Sequence, residues 1–147
     1  MLRSAAVLWS EIGSDRFRVH LGAGCSATVI RRGQSIDTSM GMTLLEGLMM
    51  GTRSGDIDPA IFALLASREN LLSEQVERIL NHESGLLGVS AISDDLRPIE
   101  AALESDHNAR SCNRDVLLSY SRVYRSLHGG TGSHGHYRVW RRHRRAF

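Results

Sequence analysis

The first forty residues combine a helical pattern of apolar positions with patterns typical of strands. Residues 4–12 place apolar side chains at intervals of three and four, which predicts an amphipathic helix. Residues 17–21 alternate as strands do, and residues 27–31 resume strand character after a glycine-rich turn. A second turn, at residues 32–33, leads into residues 34–37. The pattern therefore predicts a helix followed by a strand, a glycine turn and a further strand.

Three more helices are predicted after residue 57. Asp58 is expected to cap the first helix, with Pro59 at its first helical position. Ser73 is expected to cap the second, because acidic and amide residues follow it before an apolar run. Pro98 lies in the expected first turn of the third. We interpret the first two of these helices as scaffold. The α/β fold class that we expect follows from the family resemblance described below.

The composition is that of a soluble globular domain. With 147 residues, of which 41% are hydrophobic and 23% charged, the chain can bury one core. No apolar run is long enough to span a membrane or to act as a secretion signal. Cys25 and Cys112 form neither a metal-ligand spacing nor a disulfide framework. We therefore expect a reducing, cytoplasmic location and no membrane partner.

The charge of the chain changes sign near Arg110. Residues 1–109 hold nine arginines against fifteen acidic residues, a net of −6. Residues 110–147 hold nine arginines against one acidic residue, a net of +8. We therefore divide the chain here into a domain, residues 1–109, and an arginine-rich tail, residues 110–147.

The tail suggests an alternative function, a non-catalytic nucleic-acid-binding module. Its arginines offer donors to phosphates, and Tyr137 and Trp140 offer rings on which bases stack. His134 and His136, with one glycine between them, are too few ligands to predict a metal site.

Residues 35–60 are the stretch richest in candidate chemistry. Gly51 and Gly55 flank Arg53, so the backbone can approach a ligand while the guanidinium offers a planar fork of donors to phosphate or carboxylate oxygens. Such donors suit a phosphoryl group in transfer, whose charge spreads over its equatorial oxygens. Taken alone, the same pattern also fits a solvated salt bridge in a loop.

The wider stretch resembles a signature of the acetate and propionate kinase family. Residues 37–60 match the family's run D-T-S-M-G-x-T-P-L-E-G-L-x-M-G-T-R-x-G-x-I-D-P-A except at Leu44, where the family has proline. The resemblance implies that Arg53 stabilises the phosphoryl transition state. It also implies the ribonuclease-H-like ATPase fold shared by acetate kinase, sugar kinases and actin, with one lobe only partly present.

A glycine turn upstream is similar to the phosphate loop of the same family, H-L-G-N-G-x-S. The sequence here is His-Leu-Gly-Ala-Gly-Cys-Ser, residues 20–26. The resemblance makes five residues nucleotide-binding: His20, Leu21, Gly22, Ala23 and Gly24. Ala23 lacks the family's asparagine and therefore an amide donor. Without the resemblance, the turn is equally a plain hairpin, and His20 a strand histidine bonded to a neighbouring carbonyl.

A third stretch, residues 84–97, is similar to the family's element S-G-L-L-G-x-S-x-x-S-x-D-x-R. Its last three residues, Asp95, Leu96 and Arg97, are assigned to the nucleotide by the resemblance. Asp95 is expected at ribose hydroxyls and Arg97 on the adenosine side. From the residues alone, a helix cap and a surface charge explain the pair as well.

The resemblance stops near Arg110, and a frameshift explains why. Reading residues 141–145 with a one-base shift permits Gly-Gly-Ile-Gly-Glu, which is similar to the family's adenosine-binding signature. The same shift turns glycine codons into arginine codons and so accounts for the change of charge. We therefore expect an out-of-frame tail that buries little and is disordered.

The resemblance implies transfer of a phosphoryl group from ATP to acetate with Mg²⁺, giving acetyl phosphate and ADP. It also implies a homodimer, although the fragment lacks much of the full-length protein. The family's metal ligands fall outside this chain, and so does the pocket that separates acetate from propionate. We therefore expect a kinase fragment that is inactive or nearly inactive alone, because positioning two substrates dominates phosphoryl transfer.

Overall fold

A four-stranded antiparallel sheet opens the fold. The structure is a computed structural model, and it describes residues 6–12 and 15–129. Each strand pairs with the next along the chain, in the order β1-β2-β3-β4. The strands are β1 (Ala6–Ile12), β2 (Asp15–Leu21), β3 (Cys25–Arg31) and β4 (Gln34–Thr38). The predicted strand, glycine turn and strand are confirmed as β2 and β3.

The helix predicted over residues 4–12 is wrong. Ala6–Ile12 is strand β1, and all seven residues pair with β2, from Ala6 opposite Leu21 to Ile12 opposite Asp15. Seven residues are too few for a helix that is stable by itself. Pairing with a neighbouring strand satisfies their backbone groups, and Val7 and Trp9 suit a strand well.

Five helices follow an irregular segment, residues 39–59. They are α1 (Ala60–Arg68), α2 (Ser73–His82), α3 (Gly85–Ser90), α4 (Leu96–Ala101) and α5 (His107–Gly129). None of the helices in the described part of the chain is long and apolar enough to cross a membrane.

Two predicted helix starts are off by one residue. Pro59, not Asp58, occupies the cap position of α1, yet the Asp58 carboxylate still accepts a hydrogen bond from the Ala60 N–H at 2.9 Å. Leu72, not Ser73, caps α2, where its N–H donates to the side chain of Gln75 at 2.8 Å. In both cases a side chain two or three residues away accepts a hydrogen bond from a backbone N–H at the start of the helix.

Two apolar clusters form the core, and α5 contributes to both. The first lies between the sheet and the later turns of α5, and its buried members are Phe17, Cys25, Ala27, Val29, Leu48, Met50, Tyr124 and Leu127. The second lies between α3, α4 and the earlier turns of α5, and its buried members are Met49, Leu86, Ile99, Ala109, Cys112 and Val116. Since Met49 and Met50 enter different clusters, the segment that carries Arg53 is anchored on two sides.

Helix α5 runs straight through the change of charge at Arg110. The expectation that the tail buries little and is disordered is wrong for residues 110–127. Apolar residues recur there at intervals of three and four, and four of them are buried: Cys112, Val116, Tyr124 and Leu127. The ring of Tyr124 packs edge-on against Phe17 with centroids 4.9 Å apart. An amphipathic face is enough to dock a helix, whatever the origin of its codons.

Other expectations for the tail are not reached by the structure. The frameshift stays a prediction. The rings and histidines on which the nucleic-acid and metal interpretations depend, Tyr137, Trp140, His134 and His136, lie outside the described residues.

Cys112 makes the fold sensitive to alkaline pH. Its thiol is fully buried and donates to the Leu86 carbonyl at 3.7 Å. Burial, reinforced by the charge of Asp115, raises the pKa of Cys112 from 9.0 to about 11. The folded chain therefore holds this proton over a pH range in which the unfolded chain releases it. We expect the free energy of unfolding to fall as pH rises from about 9 to about 11.

Urea unfolding below pH 9 and near pH 11 measures this effect, and Cys112→Ala is the test variant. The variant should lose stability less steeply with pH than the wild type. Part of the slope should persist, because burial also raises the pKa of Cys25 and Tyr120. Equal slopes in the two proteins would contradict the assignment to Cys112.

Candidate functional site

The irregular segment, residues 39–59, begins as a continuation of the sheet. Ser39 is buried and pairs with Ala27 of β3: its N–H donates to the Ala27 carbonyl, and its hydroxyl accepts from the Ala27 N–H, both at 2.9 Å. Thr38 adds a hydroxyl bond to the same carbonyl at 3.1 Å. The hydroxyl residues of the Asp37–Gly41 motif therefore fasten the start of the segment to the sheet.

A glycine clamp closes the segment on itself. Gly47 has a φ of +102°, and an added Cβ would lie 2.0 Å from the Ser39 carbonyl oxygen. Asp56 bonds Gly47 twice, since its N–H donates to the Gly47 carbonyl at 3.0 Å and its carboxylate accepts the Gly47 N–H at 2.7 Å. Gly55, with a φ of +72°, packs against the same carbonyl. These close approaches exclude a side chain at either glycine.

Helix α3 holds the residues around Arg53 from the other side. The N–H groups of Ser84, Leu86 and Leu87 donate to the carbonyls of Thr52, Met50 and Gly51 at 2.9 to 3.0 Å. Gly85, with a φ of +63°, lies so close that an added Cβ would sit 2.2 Å from the Met50 carbonyl oxygen. We call residues 48–55 the Arg53 segment. Its backbone is fixed by hydrogen bonds rather than by regular secondary structure.

The Arg53 side chain points toward the glycine turn between β2 and β3, residues 22–24, which we call the glycine loop. A Cβ added at Gly24 would lie 3.5 Å from Arg53 Nη1, and the same nitrogen contacts the Met50 sulfur at 3.8 Å. No described carboxylate forms an ion pair with Arg53. The alternative of a loop salt bridge therefore does not apply among the described residues.

The glycine loop is tied directly to the Arg53 segment. The Gly51 N–H donates to the Ala23 carbonyl at 3.1 Å, and Gly22 donates to Gly24 within the loop at 3.0 Å. His20 is exposed near the end of β2, opposite Ser26, and its ring donates to no carbonyl among the described residues. Of the five residues assigned to the nucleotide here, Ala23 and Gly24 lie against the Arg53 segment.

Asp95 and Arg97 face each other. The Asp95 carboxylate caps α4 by accepting the Arg97 N–H at 3.0 Å, and it also accepts the Arg97 Nε–H at 3.0 and 3.1 Å. This hydrogen bonding raises the pKa of Arg97, whose side chain is 71% exposed. The geometry fits the alternative of a cap and a surface charge, so a nucleotide role for Asp95, Leu96 and Arg97 stays a prediction.

The three assigned stretches nevertheless meet at one residue. A Cβ at Gly51 would lie 3.2 Å from the Ala23 carbonyl oxygen and 2.8 Å from that of Asp94, next to Asp95. Gly51 was marked in the sequence only as a neighbour of Arg53. Its role as the contact point of three segments follows from tertiary packing.

A cleft beside Arg53 was missed at the level of sequence. Its volume is about 630 Å³, and its lining is Leu44, Arg53, Glu74, Glu77, Arg78, Asn81 and His82. Most of this lining is the polar face of α2, on which residues 74, 77, 78 and 81 recur at helical spacing. That spacing was the available signal, but the helix was interpreted as scaffold.

The described residues do not fit a Mg²⁺ site. No group of three or more His, Cys, Asp or Glu side chains among them could hold a metal ion. Carboxylate oxygens are the protein ligands that Mg²⁺ prefers, and the site here is built on a guanidinium and backbone groups. No step of the chemistry below therefore depends on metal ligands in this chain.

Comparison with known proteins identifies the family. The model of the acetokinase family matches residues 11–128, which is most of the chain. The chain belongs to the acetokinase family. The match extends past Arg110 to residue 128 and covers most of α5, so the expectation that the resemblance stops near Arg110 is wrong.

Individual acetokinases agree with this assignment. The acetate kinase of Dictyoglomus turgidum is 59% identical over 115 residues, which are 76% of this chain and 28% of that protein. The acetate kinase of Solibacter usitatus is 54% identical over 92 residues, 63% of this chain and 22% of that protein. The chain therefore spans less than a third of the length of these curated relatives.

Solved structures agree with the fold as well. The crystal structure of Porphyromonas gingivalis acetate kinase superposes with a TM-score of 0.75 at 37% identity, over 78% of this chain and 29% of that one. A propionate kinase from Francisella tularensis gives a TM-score of 0.72 at 39% identity, over 76% and 29%. The predicted fold class is thus confirmed: the chain is α/β and forms part of the acetokinase fold.

Proposed function

We propose that this chain is the phosphate-binding portion of an acetokinase, which transfers a phosphoryl group between ATP and a short-chain carboxylate. The observation that carries the proposal is the position of the Arg53 guanidinium beside the glycine loop, where a Cβ added at Gly24 would lie 3.5 Å from Nη1. This position sets a cationic fork next to a turn able to direct backbone N–H groups at an anion. The two parts are built from separate stretches of sequence.

The chemistry asked of these residues is electrostatic. A carboxylate oxygen attacks the terminal phosphorus, the bond from phosphorus to the ADP oxygen breaks, and no proton has to move. Negative charge spreads over the equatorial oxygens during this exchange, and preorganised donors stabilise it. Arg53 suits this task because its backbone is fixed on both faces and its guanidinium has no described carboxylate partner.

The glycine loop is proposed to receive the phosphates of the nucleotide. His20 and Leu21 end β2, and Gly22, Ala23 and Gly24 form the turn, so the loop is short and braced by two paired strands. Asp95 and Arg97 would have to exchange their mutual contact for contacts with the nucleoside. Because Arg97 is largely exposed, that rearrangement needs no change in the core.

For the isolated chain we propose nucleotide binding, whereas catalysis is the function of the full-length family. The chain spans 22 to 28% of its curated relatives, and both acetate and propionate kinases superpose on it. We infer that it binds ADP or ATP weakly, that its carboxylate acceptor is acetate or propionate, and that the residues choosing between them lie elsewhere. A cytoplasmic location is also proposed, since both cysteines are free thiols.

Removal of the Arg53 charge tests the proposal. We expect Arg53→Gln to weaken ADP binding by about 10-fold or more, because a hydrogen bond to a charged group contributes about 1.5 to 3 kcal/mol. Isothermal titration of the purified chain with ADP measures the dissociation constant. Thermal unfolding of the same samples should change little, because the guanidinium makes no described ion pair.

The matched control is Arg114→Gln, which removes the same charge from an exposed position on α5. Its affinity for ADP should stay within about twofold of the wild type, since long-range charge effects are screened by salt. Equal losses in the two variants would indicate nonspecific attraction of the anion. Equal affinity of Arg53→Gln and wild type would refute the proposed site.

A further inference from the structure

Adjacent residues of α5 contact the two parts of the proposed phosphate site. The Ser119 hydroxyl accepts a hydrogen bond from the Met49 N–H, at 3.0 Å, at the start of the Arg53 segment. The Tyr120 hydroxyl lies 3.5 Å from the Cys25 sulfur, directly after the glycine loop. The Cys25 thiol in turn donates to the Gly22 carbonyl of that loop at 3.6 Å. One turn of one helix therefore reaches both parts.

The direction of these bonds follows from the available protons. The Cys25 thiol has a single proton, and the Gly22 carbonyl accepts it, so the Tyr120 hydroxyl donates to the sulfur. Burial is the main reason that the pKa of both Cys25 and Tyr120 is raised, and both groups therefore stay neutral near pH 7. A neutral chain of hydrogen bonds that is partly buried holds its members in one arrangement.

Tyr120 is also placed to link the two halves of the core. Its ring is half-buried and packs against both apolar clusters, the first between the sheet and α5 and the second between α3, α4 and α5. The glycine loop joins two strands of the sheet, which packs on the first cluster. Helix α3, which packs on the second cluster, donates hydrogen bonds to the Arg53 segment. A residue in contact with both clusters fixes the separation between them.

We propose that Ser119 and Tyr120 are positioning residues of the phosphate site. They hold the glycine loop and the Arg53 segment at the separation at which Gly24 and the Arg53 guanidinium reach one phosphate. This inference rests on the proposed function. Loss of either hydrogen bond should therefore weaken phosphate binding more than a change in helix packing alone would. The reason is that small displacements of a charged donor weaken its contact with an anion.

Two conservative variants test the proposal in the full chain. Ser119→Ala and Tyr120→Phe each remove one hydrogen bond and keep most of the packing. Each should weaken ADP binding about 3- to 10-fold by titration calorimetry, the range expected for one hydrogen bond. The ring of Tyr120→Phe still fills the core, so its melting temperature should stay close to that of wild type.

The helix supplies a control for each variant. Ser121→Ala removes a hydroxyl that bonds only the Leu118 carbonyl of the same helix among the described contacts, at 2.9 Å. Tyr124→Phe alters a buried tyrosine one turn further along α5, whose ring packs edge-on against Phe17. Neither control should change the affinity for ADP, whatever it does to stability. Controls that weaken binding as much as the test variants would reduce the effect to helix packing and overturn the proposal.

Amide resonances of the ligand-free chain provide a readout independent of binding. Tyr120→Phe should shift the Gly22 and Gly24 resonances, and Ser119→Ala should shift that of Met49. Unchanged resonances, or unchanged affinity in both variants, would overturn the proposal. If wild type binds no ADP, the proposed function is wrong, and the positioning role proposed for Ser119 and Tyr120 is wrong as well. Shifted resonances would then record structural coupling only.

Discussion

Replacing Gly47 with alanine is expected to destabilise the chain by about 2 to 5 kcal/mol. The left-handed φ of +102° costs a residue with a Cβ about 1 to 2 kcal/mol. The new methyl would also lie 2.0 Å from the Ser39 carbonyl oxygen, which is held by the sheet and cannot move freely. Such overpacking costs a further 1 to 3 kcal/mol or so. Small domains have only about 5 to 15 kcal/mol in total, so a loss of this size removes a large share of the free energy of unfolding.

Gly33→Ala is the matched control for this substitution. Gly33 also has a positive φ, +84°, but an added Cβ there would meet nothing within 4 Å. We expect a loss of about 1 to 2 kcal/mol from the backbone conformation alone. Urea unfolding followed by circular dichroism gives both values. Equal losses at the two positions would mean that Ser39 does not press on Gly47, and the glycine clamp described above would be incorrect.

The second large effect concerns turnover. The isolated chain is expected to form acetyl phosphate at least ~10⁵-fold more slowly than a full-length acetate kinase. Holding two reactants in line accounts for about 7 to 11 kcal/mol of such barriers, and this chain spans less than a third of its relatives. The role proposed for Arg53 is to stabilise charge, and that role does not place a carboxylate opposite the phosphorus. A coupled assay of acetyl phosphate, with a full-length acetate kinase as the positive control, measures the ratio.

Binding and turnover must be measured on the same preparation. A sample that binds ADP through Arg53 yet shows no turnover would agree with the proposed function of a partial site. Turnover within about 10²-fold of the full-length enzyme would show that the chain positions both substrates, and the expected ~10⁵-fold loss would be wrong. A sample that neither binds nor turns over would contradict the proposed nucleotide site itself.

The fold class was predicted correctly from the sequence, although one of its elements was not, and the site stays a prediction. Arg53 was marked by the glycines that flank it and the glycine loop by its resemblance to the phosphate loop of the family. The structure brings the Arg53 side chain beside that loop. Strand β1 was predicted as a helix, because seven residues with apolar positions three and four apart satisfy either periodicity. The decision between them came from β2, which pairs along the whole segment.

The tail was predicted to be disordered, but its first part is helical and buried in the core. Charge made residues after Arg110 look foreign to the domain, while the apolar positions at intervals of three and four within them were overlooked. Those positions bury α5 in both clusters. Net charge describes the exposed face of a helix, and the apolar face decides whether it docks.

The sequence by itself determined the chemical parts: a glycine-flanked arginine, a glycine turn between strands, and the family to which they belong. These depend on residue type and local spacing, which a sequence states directly. Only the tertiary structure decided that Gly51 lies against both Ala23 and Asp94, that Asp95 and Arg97 pair with each other, and that α5 forms a hydrogen bond with the Arg53 segment. Those contacts join residues far apart in the chain, and they depend on how the sheet and helices pack.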